Sequence, residues 1–344
     1  MSSYLNRELC TACAGQMFLA DGAEYRLGGK EGDGATGLVY KATRNNDGQV
    51  QAVKFLAPDP KYINPEAFDD VTARFKREGE RGPQLSHPHL IDIYSYNENE
   101  NGRCFTGGSP KNPFVLMEFV RGRTLEDFLR KAQTKRSGFE ATQERLHIAI
   151  QVACALEYLN KQKLIHRDVK PANIFIGKTN HGGYPLVKLG DFGIVKWGDF
   201  HSSLATGTLT ATNQQGLGTM KYMSPEQAIH PKDVMVSSDV YSFGITLYEL
   251  FTGQILTSPH HIMEIILARR GKGNTYSRYH ALGYDISMAD EDIATAILDT
   301  FLVAKSRPKI SDLRGRLEFS YERFHTNWRD DLDEKIYYGA SVRQ

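Results

Sequence analysis

Cysteine is scarce in this chain, four among 344 residues, too few to staple a fold of this length. That excludes a disulfide scaffold and fits a reducing compartment. Long apolar runs are missing as well. No window approaches the roughly eighteen uncharged apolar residues of a membrane helix, and the opening Met1-Ser2-Ser3-Tyr4-Leu5-Asn6-Arg7 lacks the basic segment and apolar core of a secretory leader. No membrane span is expected, and a cytoplasmic location is. Nor is there an excess of either charge: 42 Lys and Arg stand against 41 Asp and Glu, a net +1. Bulk electrostatics therefore gives no ground for nucleic acid or an anionic membrane as partner. Internal repeats and low-complexity runs are absent too. What remains is an ordinary globular composition, long enough for two domains or one two-lobed domain.

One stretch concentrates chemistry: Ile165-His166-Arg167-Asp168-Val169-Lys170-Pro171-Ala172-Asn173-Ile174-Phe175-Ile176. The apolar pair Leu164-Ile165 leads into it and the strand-like run Ile174 to Ile176 closes it, so anchored flanks hold an aspartate, a lysine and an amide on a tight loop. Such loops are where reactive groups sit. The run fits H-R-D-x-x-x-x-N, and through it the chain resembles the eukaryotic-type (Hanks-type) serine/threonine protein kinase family. The resemblance implies an α+β, bilobal fold. A small antiparallel sheet with one helix, residues 23 to 118, would precede a larger, mainly helical lobe, residues 119 to 317. Residues 1 to 22 and 318 to 344 are left as N- and C-terminal extensions. In the family's terms Asp168 accepts the substrate hydroxyl proton, Lys170 steadies the transferring group and Asn173 holds a metal ion. Lys170, two residues after Asp168, is the serine/threonine form of the loop.

Other parts follow in the family's order. Gly32, Gly34, Gly37 and Val39 fit G-x-G-x-x-G-x-V, where missing Cβ atoms let backbone approach phosphates. A dinucleotide fold would open a helix after the third glycine. Here Leu38-Val39-Tyr40-Lys41-Ala42 continues as strand, and Asn45-Asn46-Asp47-Gly48 turns it into a second strand, Val50 to Leu56. Ala52 and Lys54 are two apart and share a face of that strand. By resemblance, Lys54 reaches the α- and β-phosphates while Ala52 and Val39 sandwich the adenine. Asn64-Pro65-Glu66 has the grammar of a helix start. Phe68, Val71 and Phe75 then form an inward stripe that Glu78 joins. A carboxylate there needs a cation, and Lys54 is the candidate. Gly79 and Gly82-Pro83 are expected to weaken the end of this helix.

Residues 97 to 113 read as a long loop, and Phe114-Val115-Leu116-Met117 as a buried strand. The family's interlobe hinge falls at Glu118-Phe119-Val120, so Glu118 and Val120 are assigned to the nucleotide. At the ribose edge, where relatives often carry an acid, stands Thr124. Leu146 to Asn160 suits a buried helix, and Val187-Lys188-Leu189-Gly190 a strand ending in Asp191-Phe192-Gly193. By resemblance Asp191 joins Asn173 as a ligand of Mg²⁺, a hard cation suited to carboxylate and amide oxygens. From Asp191 to Glu226 the chain is rich in Gly, Ser and Thr. Ser202, Ser203, Thr206, Thr208, Thr210 and Thr212 are candidate phosphosites, although most such hydroxyls are solvated loop residues. The closing Gly218-Thr219-Met220-Lys221-Tyr222-Met223-Ser224-Pro225-Glu226 resembles the family's A-P-E region with Ser224 in place of alanine, and Thr219 is assigned a contact with the catalytic loop. The resemblance also has Asp239 accepting catalytic-loop N–H groups and Arg307 pairing with Glu226.

These parts imply an enzyme that uses ATP and Mg²⁺ to phosphorylate protein Ser or Thr hydroxyls, with autophosphorylation of the segment after Asp191. Two rivals stay open: a pseudokinase that binds nucleotide without turnover, and a small-molecule phosphotransferase of related fold. Cys10-Thr11-Ala12-Cys13 supplies half of a zinc site at most, since Cys104 and Cys154 stand alone, and it reads as two thiols in an extension. Arg121 and Arg123 read as solvated arginines, with acidic substrates the alternative.

Overall fold

The structure is a computed structural model; it describes residues 17–59, 61, 63, 68–98, 112–132, 139–177, 184–191, 195–196, 221–229, 234–254, 291–302 and 304–324. The chain divides into two compact units. Among the described residues, one contains the chain up to Ser86 and Ile91–Phe119; the other contains His87–Leu90 and everything from Val120 onward.

The first unit is built on a six-stranded antiparallel sheet in the order β1-β2-β3-β4-β6-β5. Its strands are β1 Met17–Ala20, β2 Ala23–Asp33, β3 Gly37–Arg44, β4 Val50–Leu56, β5 Ile93–Asn97 and β6 Phe114–Glu118. The turn predicted at Asn45 to Gly48 is present: Gly48 has φ +70° and its N–H donates to the Arg44 carbonyl at 2.9 Å. One sheet face carries an apolar cluster of Phe18, Tyr25, Leu27, Tyr40, Val53, Phe55, Phe114 and Leu116. β1 and β6 are four ladder steps apart, about 19 Å on a flat sheet. Yet the Phe18 and Phe114 ring centroids lie 5.6 Å apart, so the sheet curls on itself and this face becomes its interior. Each large side chain buried there stabilises the unit by roughly 1.5–3 kcal/mol.

The sheet takes in residues before position 22. Met17–Ala20 is the first strand of the sheet, paired with β2 from Met17↔Arg26 to Ala20↔Ala23; four residues alternating outward and inward are too short a signal to separate from an extension. At the other end helix α7, Ile310–Phe324, runs continuously past position 317.

Helix α1, Phe68–Arg81, lies on the opposite face from the cluster. Phe75 meets Tyr96 edge-on, with centroids 6.3 Å apart. Tyr96 pairs with Val115 and Val115 with Lys54, so all three share one face. The helix runs through Gly79 and ends at Arg81, just before Gly82-Pro83. A Cβ on Gly79 would fall 2.6 Å from the Tyr96 ring, and the glycine lets α1 approach β5. Gly82–Gln84 continues as a short 3-10 turn.

The second unit packs α3, Phe139–Lys161, against α7 and α5, Val236–Thr252. Helix α5 ends at Gly253 in the left-handed conformation, φ +69°, its N–H donating to the Glu249 carbonyl at 2.8 Å. Two small sheets carry the loop of interest: β7 Gly122–Thr124, β9 Ile174–Gly177 and β10 Val187–Leu189 in one, β8 Leu164–Ile165 and β11 Val195–Lys196 in the other. Helices α2 Leu125–Ala132, α4 Pro225–Ile229 and α6 Glu291–Asp299 complete the unit. No helix among the described residues is long and apolar enough to cross a membrane.

Candidate active site

The loop between β8 and β9 is anchored where the apolar flanks predicted. Asp239, at the first turn of α5, reaches it with both carboxylate oxygens: the His166 N–H donates to Oδ2 at 2.7 Å and the Arg167 N–H to Oδ1 at 2.8 Å. Burial pushes the Asp239 carboxyl up to about 6 even against these two N–H donors. His166 is fully buried, and burial holds its imidazole down at about 4 despite the nearby Asp168 carboxylate. Its Nε2 lies 3.1 Å from the Gly190 carbonyl, and its Nδ1 accepts the Asp168 N–H at 3.3 Å. A neutral imidazole thus ties the loop to Gly190, just past β10 and before Asp191.

Arg167 and Asp191 have positive φ, +71° and +56°. For residues with a Cβ that backbone costs about 1–2 kcal/mol, and it persists only where surrounding bonds enforce it. At Arg167 those bonds are visible. Gly190 extends the same mesh, its N–H donating to the Asn173 carbonyl at 2.9 Å.

Asp168 lies at the centre of a short polar array. Lys170 Nζ donates to its Oδ2 at 2.8 Å; Asn173 Nδ2 donates to the same oxygen at 2.9 Å and to the Asp168 carbonyl at 2.8 Å. Oδ1 accepts no hydrogen bond from another described side chain, and the carboxylate is a third exposed. Since the Asn173 amide nitrogen is turned to Asp168, its oxygen is the atom left for a ligand. β9 and β10 pair through Leu189↔Ile174, so Asn173 and the exposed Asp191 stand at the same end of adjacent strands. An amide oxygen and a carboxylate are a donor set that suits a hard cation. Groups of three or more His, Cys, Asp or Glu with metal-binding spacing are not found among the described residues.

In the first unit the glycine residues form the predicted hairpin. Gly32 pairs with Val39 and Asp33 with Leu38, and the Gly34 N–H closes the turn on the Gly37 carbonyl at 3.0 Å. A Cβ on Gly37 would meet the Phe55 carbonyl oxygen at 2.3 Å, with Lys54 Cγ beyond at 3.7 Å. Val39 pairs with Lys54, and Ala52 is two residues along, so Val39, Ala52 and Lys54 share one face. Lys54 is 8% exposed. Glu78 is half-buried on α1, the helix that covers that face. Glu118 ends β6; its N–H donates to the Asp92 carbonyl at 2.8 Å and its side chain accepts the Asp92 N–H at 3.2 Å. Val120 follows it, half-buried, in the link to β7. Thr124 is spoken for by secondary structure: its hydroxyl donates to Asp127 Oδ2 at 2.9 Å and accepts the Asp127 N–H at 3.1 Å, capping α2. Thr219, Phe192, Gly193, the hydroxyls from Ser202 to Thr212, and Cys10 and Cys13 lie outside the described residues.

The support residues meet. Arg307 grips Glu226 with both guanidinium nitrogens, NH2 to Oε2 at 2.9 Å, and also donates to the Ser237 and Leu302 carbonyls at 2.9 Å. Burial raises the Glu226 carboxyl, but Arg307 outweighs it and holds it at about 2. Gln227 was not singled out from sequence, although S/T-x-x-E/Q at Ser224 was a readable helix-start signal.

A curled sheet with one helix, followed by a helical unit whose loop presents aspartate, lysine and asparagine, is the architecture of a phosphotransferase of the protein kinase fold. Residues 25–300 match the protein kinase domain family, and the chain belongs to it. The probable serine/threonine-protein kinase PknB of Bifidobacterium longum is 34% identical over 234 residues, 68% of this chain and 31% of that protein. Serine/threonine-protein kinase PknA of Mycobacterium tuberculosis is 32% identical over 234 residues, 67% of this chain and 47% of that one. The match thus spans about a third to a half of these relatives' length. The crystal structure of the Mycobacterium tuberculosis PknI kinase domain is similar at a TM-score of 0.58 and 20% identity, covering 89% of this chain and 98% of that domain. That likeness concerns the fold.

Proposed function

We propose that this chain is a serine/threonine protein kinase, transferring the γ-phosphoryl of ATP to protein hydroxyls with Mg²⁺. The observation that carries the reading is the state of Asp168. One carboxylate oxygen is held by Lys170 and Asn173, the other accepts from no other described side chain, and the backbone is gripped from α5. A carboxylate oriented this way can take the proton of an acceptor hydroxyl as the oxygen attacks. Phosphoryl transfer asks for little covalent help and mostly for placement and charge, which is what this array supplies. Lys170 serves both Asp168 and the transferring group. Lys54 holds the α- and β-phosphates, with Glu78 as its partner; Val39 and Ala52 cover the adenine beneath the Gly32, Gly34 and Gly37 hairpin. Main-chain groups of Glu118 and Val120 meet the adenine edge, and Thr219 contacts the catalytic loop. Asn173 and Asp191 would hold Mg²⁺, which supplies neutralising charge to the phosphates. The relatives' names support a protein substrate with a Ser or Thr acceptor, and dependence on ATP goes with a cytoplasmic, signalling role.

Labelled phosphate incorporation into the chain itself and into a generic protein acceptor, with ATP and Mg²⁺, tests the reading. The wild type should label Ser or Thr, and Asp168→Ala and Lys54→Met should lose the label. Well-folded, ATP-binding wild type that labels no protein would sink the proposal, and label on a metabolite alone would replace it with a small-molecule phosphotransferase.

A further inference from the structure

The peptide joining Arg167 to Asp168 is held from a residue that the proposed transfer chemistry does not use. Gln227, in the short helix α4, donates from Nε2 to the Arg167 carbonyl at 3.1 Å. Its own orientation is set by Ser224. The Ser224 N–H and Oγ both donate to Gln227 Oε1, at 3.1 and 3.0 Å, and the Gln227 N–H lies 3.4 Å from Ser224 Oγ. An oxygen receiving two donors fixes which end of the amide is which, so the nitrogen must face Arg167. Ser224 is fully buried and Gln227 nearly so, which keeps water from replacing either bond.

The consequence lies in the backbone. Arg167 has φ +71°. The peptide plane before it is fixed by Asp239, which accepts the Arg167 N–H. The plane after it is fixed at both ends: its N–H by His166 Nδ1 at 3.3 Å and its carbonyl by Gln227. Without the Gln227 bond one end of that plane is released, and the residue that swings with it is Asp168. The α4 helix is itself pinned, since Glu226 accepts from Ser238 Oγ at 2.8 Å and from Arg307.

We infer that Gln227 is a positioning residue for Asp168, aimed by Ser224, and that the serine standing where the family's A-P-E has alanine is there to aim it. This rests on the kinase reading above. Gln227 touches no reacting atom; it holds the strained peptide so that the Asp168 carboxylate points at the acceptor hydroxyl.

The test uses the full chain. Gln227→Leu keeps the volume and removes the donor. It should lower kcat about ten- to a hundredfold, the order expected for a displacement of about 1 Å at a reacting group, while KM for ATP stays close to wild type and the melting temperature falls by only a few degrees, the mark of a few buried groups left unpaired. Ser224→Ala should lower kcat about threefold to tenfold on the same reasoning, and Ser224→Thr, which keeps the hydroxyl, should restore it. A Gln227→Leu kcat within twofold of wild type, or a loss shared equally by kcat, ATP affinity and melting temperature, overturns the inference. Amide hydrogen exchange gives a reading independent of turnover. In Gln227→Leu the Asp168 amide should exchange faster by about tenfold, the order of one lost hydrogen bond, with Ile165 unchanged. If wild type transfers no phosphate but that exchange difference appears, the kinase reading fails and the positioning role stands. If transfer occurs and the exchange is unchanged, the reverse holds.

Discussion

Replacing Arg307 by methionine tests the strongest single tie in the second unit. The guanidinium is 2% exposed and its partner carboxylate 16%, and it makes bonds to Glu226, Ser237 and Leu302 while its plane lies 4.9 Å from the Tyr241 ring centroid. Glu226 is held at about 2 instead of its ordinary 4.5, a difference worth about 3 kcal/mol, or about 2 after allowing for its partial exposure. Removing one member of a buried pair typically costs about 3–5 kcal/mol, because the other is left charged and dry. Arg307→Met should therefore destabilise the unit by about 3 kcal/mol, a melting shift of about 6–12 °C for a body of this size. Differential scanning calorimetry at pH 7 reads it. The sign against pH is determined too. Glu226 has a depressed pKa, so the pair's contribution is present above 4.5 and lost as pH falls toward 2, and the curves of wild type and variant should draw together as pH falls to about 2. Adding Glu226→Leu should recover much of the loss, since an apolar pair carries no desolvation cost. A shift under about 2 °C for the single variant would refute the reasoning.

Two further perturbations address the loop and the helix. His166 is depressed from 6.5 to about 4, so lowering the pH through that window removes about 3 kcal/mol of stability; Asp239 is raised from 3.8 to about 6, so its contribution moves the opposite way by a similar amount. Asp239→Asn should therefore lose stability between pH 7 and 4 more steeply than wild type by about 3 kcal/mol, and parallel curves in thermal melts would show the assignment to be wrong. Gly79→Ala separates propensity from packing. Helix propensity alone favours alanine by about 1 kcal/mol, but the added methyl would fall 2.6 Å from the Tyr96 ring, and overpacking of that kind costs about 1–3 kcal/mol. Urea denaturation should show a net loss of stability; a gain would mean that α1 and β5 separate freely.

Local pattern carried most of this protein's layout. The Asn45 to Gly48 turn and strand Val50–Leu56 were legible because their signals are short-range: turn residues and a short strand-forming run. The order of the motifs was enough to assign the family, and with it the pairing of Arg307 with Glu226 across 81 positions. The strand at Met17–Ala20 was not legible, because four residues carry too little periodicity and its worth lies in Phe18 reaching Phe114 around a curled sheet. The packing role of Gly79 was not legible for a related reason, since its decisive neighbour, Tyr96, is supplied by another element. Thr124 stands where relatives often carry an acid at the ribose edge, and its hydroxyl is turned onto Asp127. The sequence by itself determined which polar groups stand together on the loop, because residue type and spacing along one short stretch decide that. Tertiary structure decided what else holds them: Gln227 reaches the Arg167 carbonyl from α4 and His166 reaches across to the Gly190 carbonyl, and no local pattern encodes a bond between residues 60 or 24 positions apart.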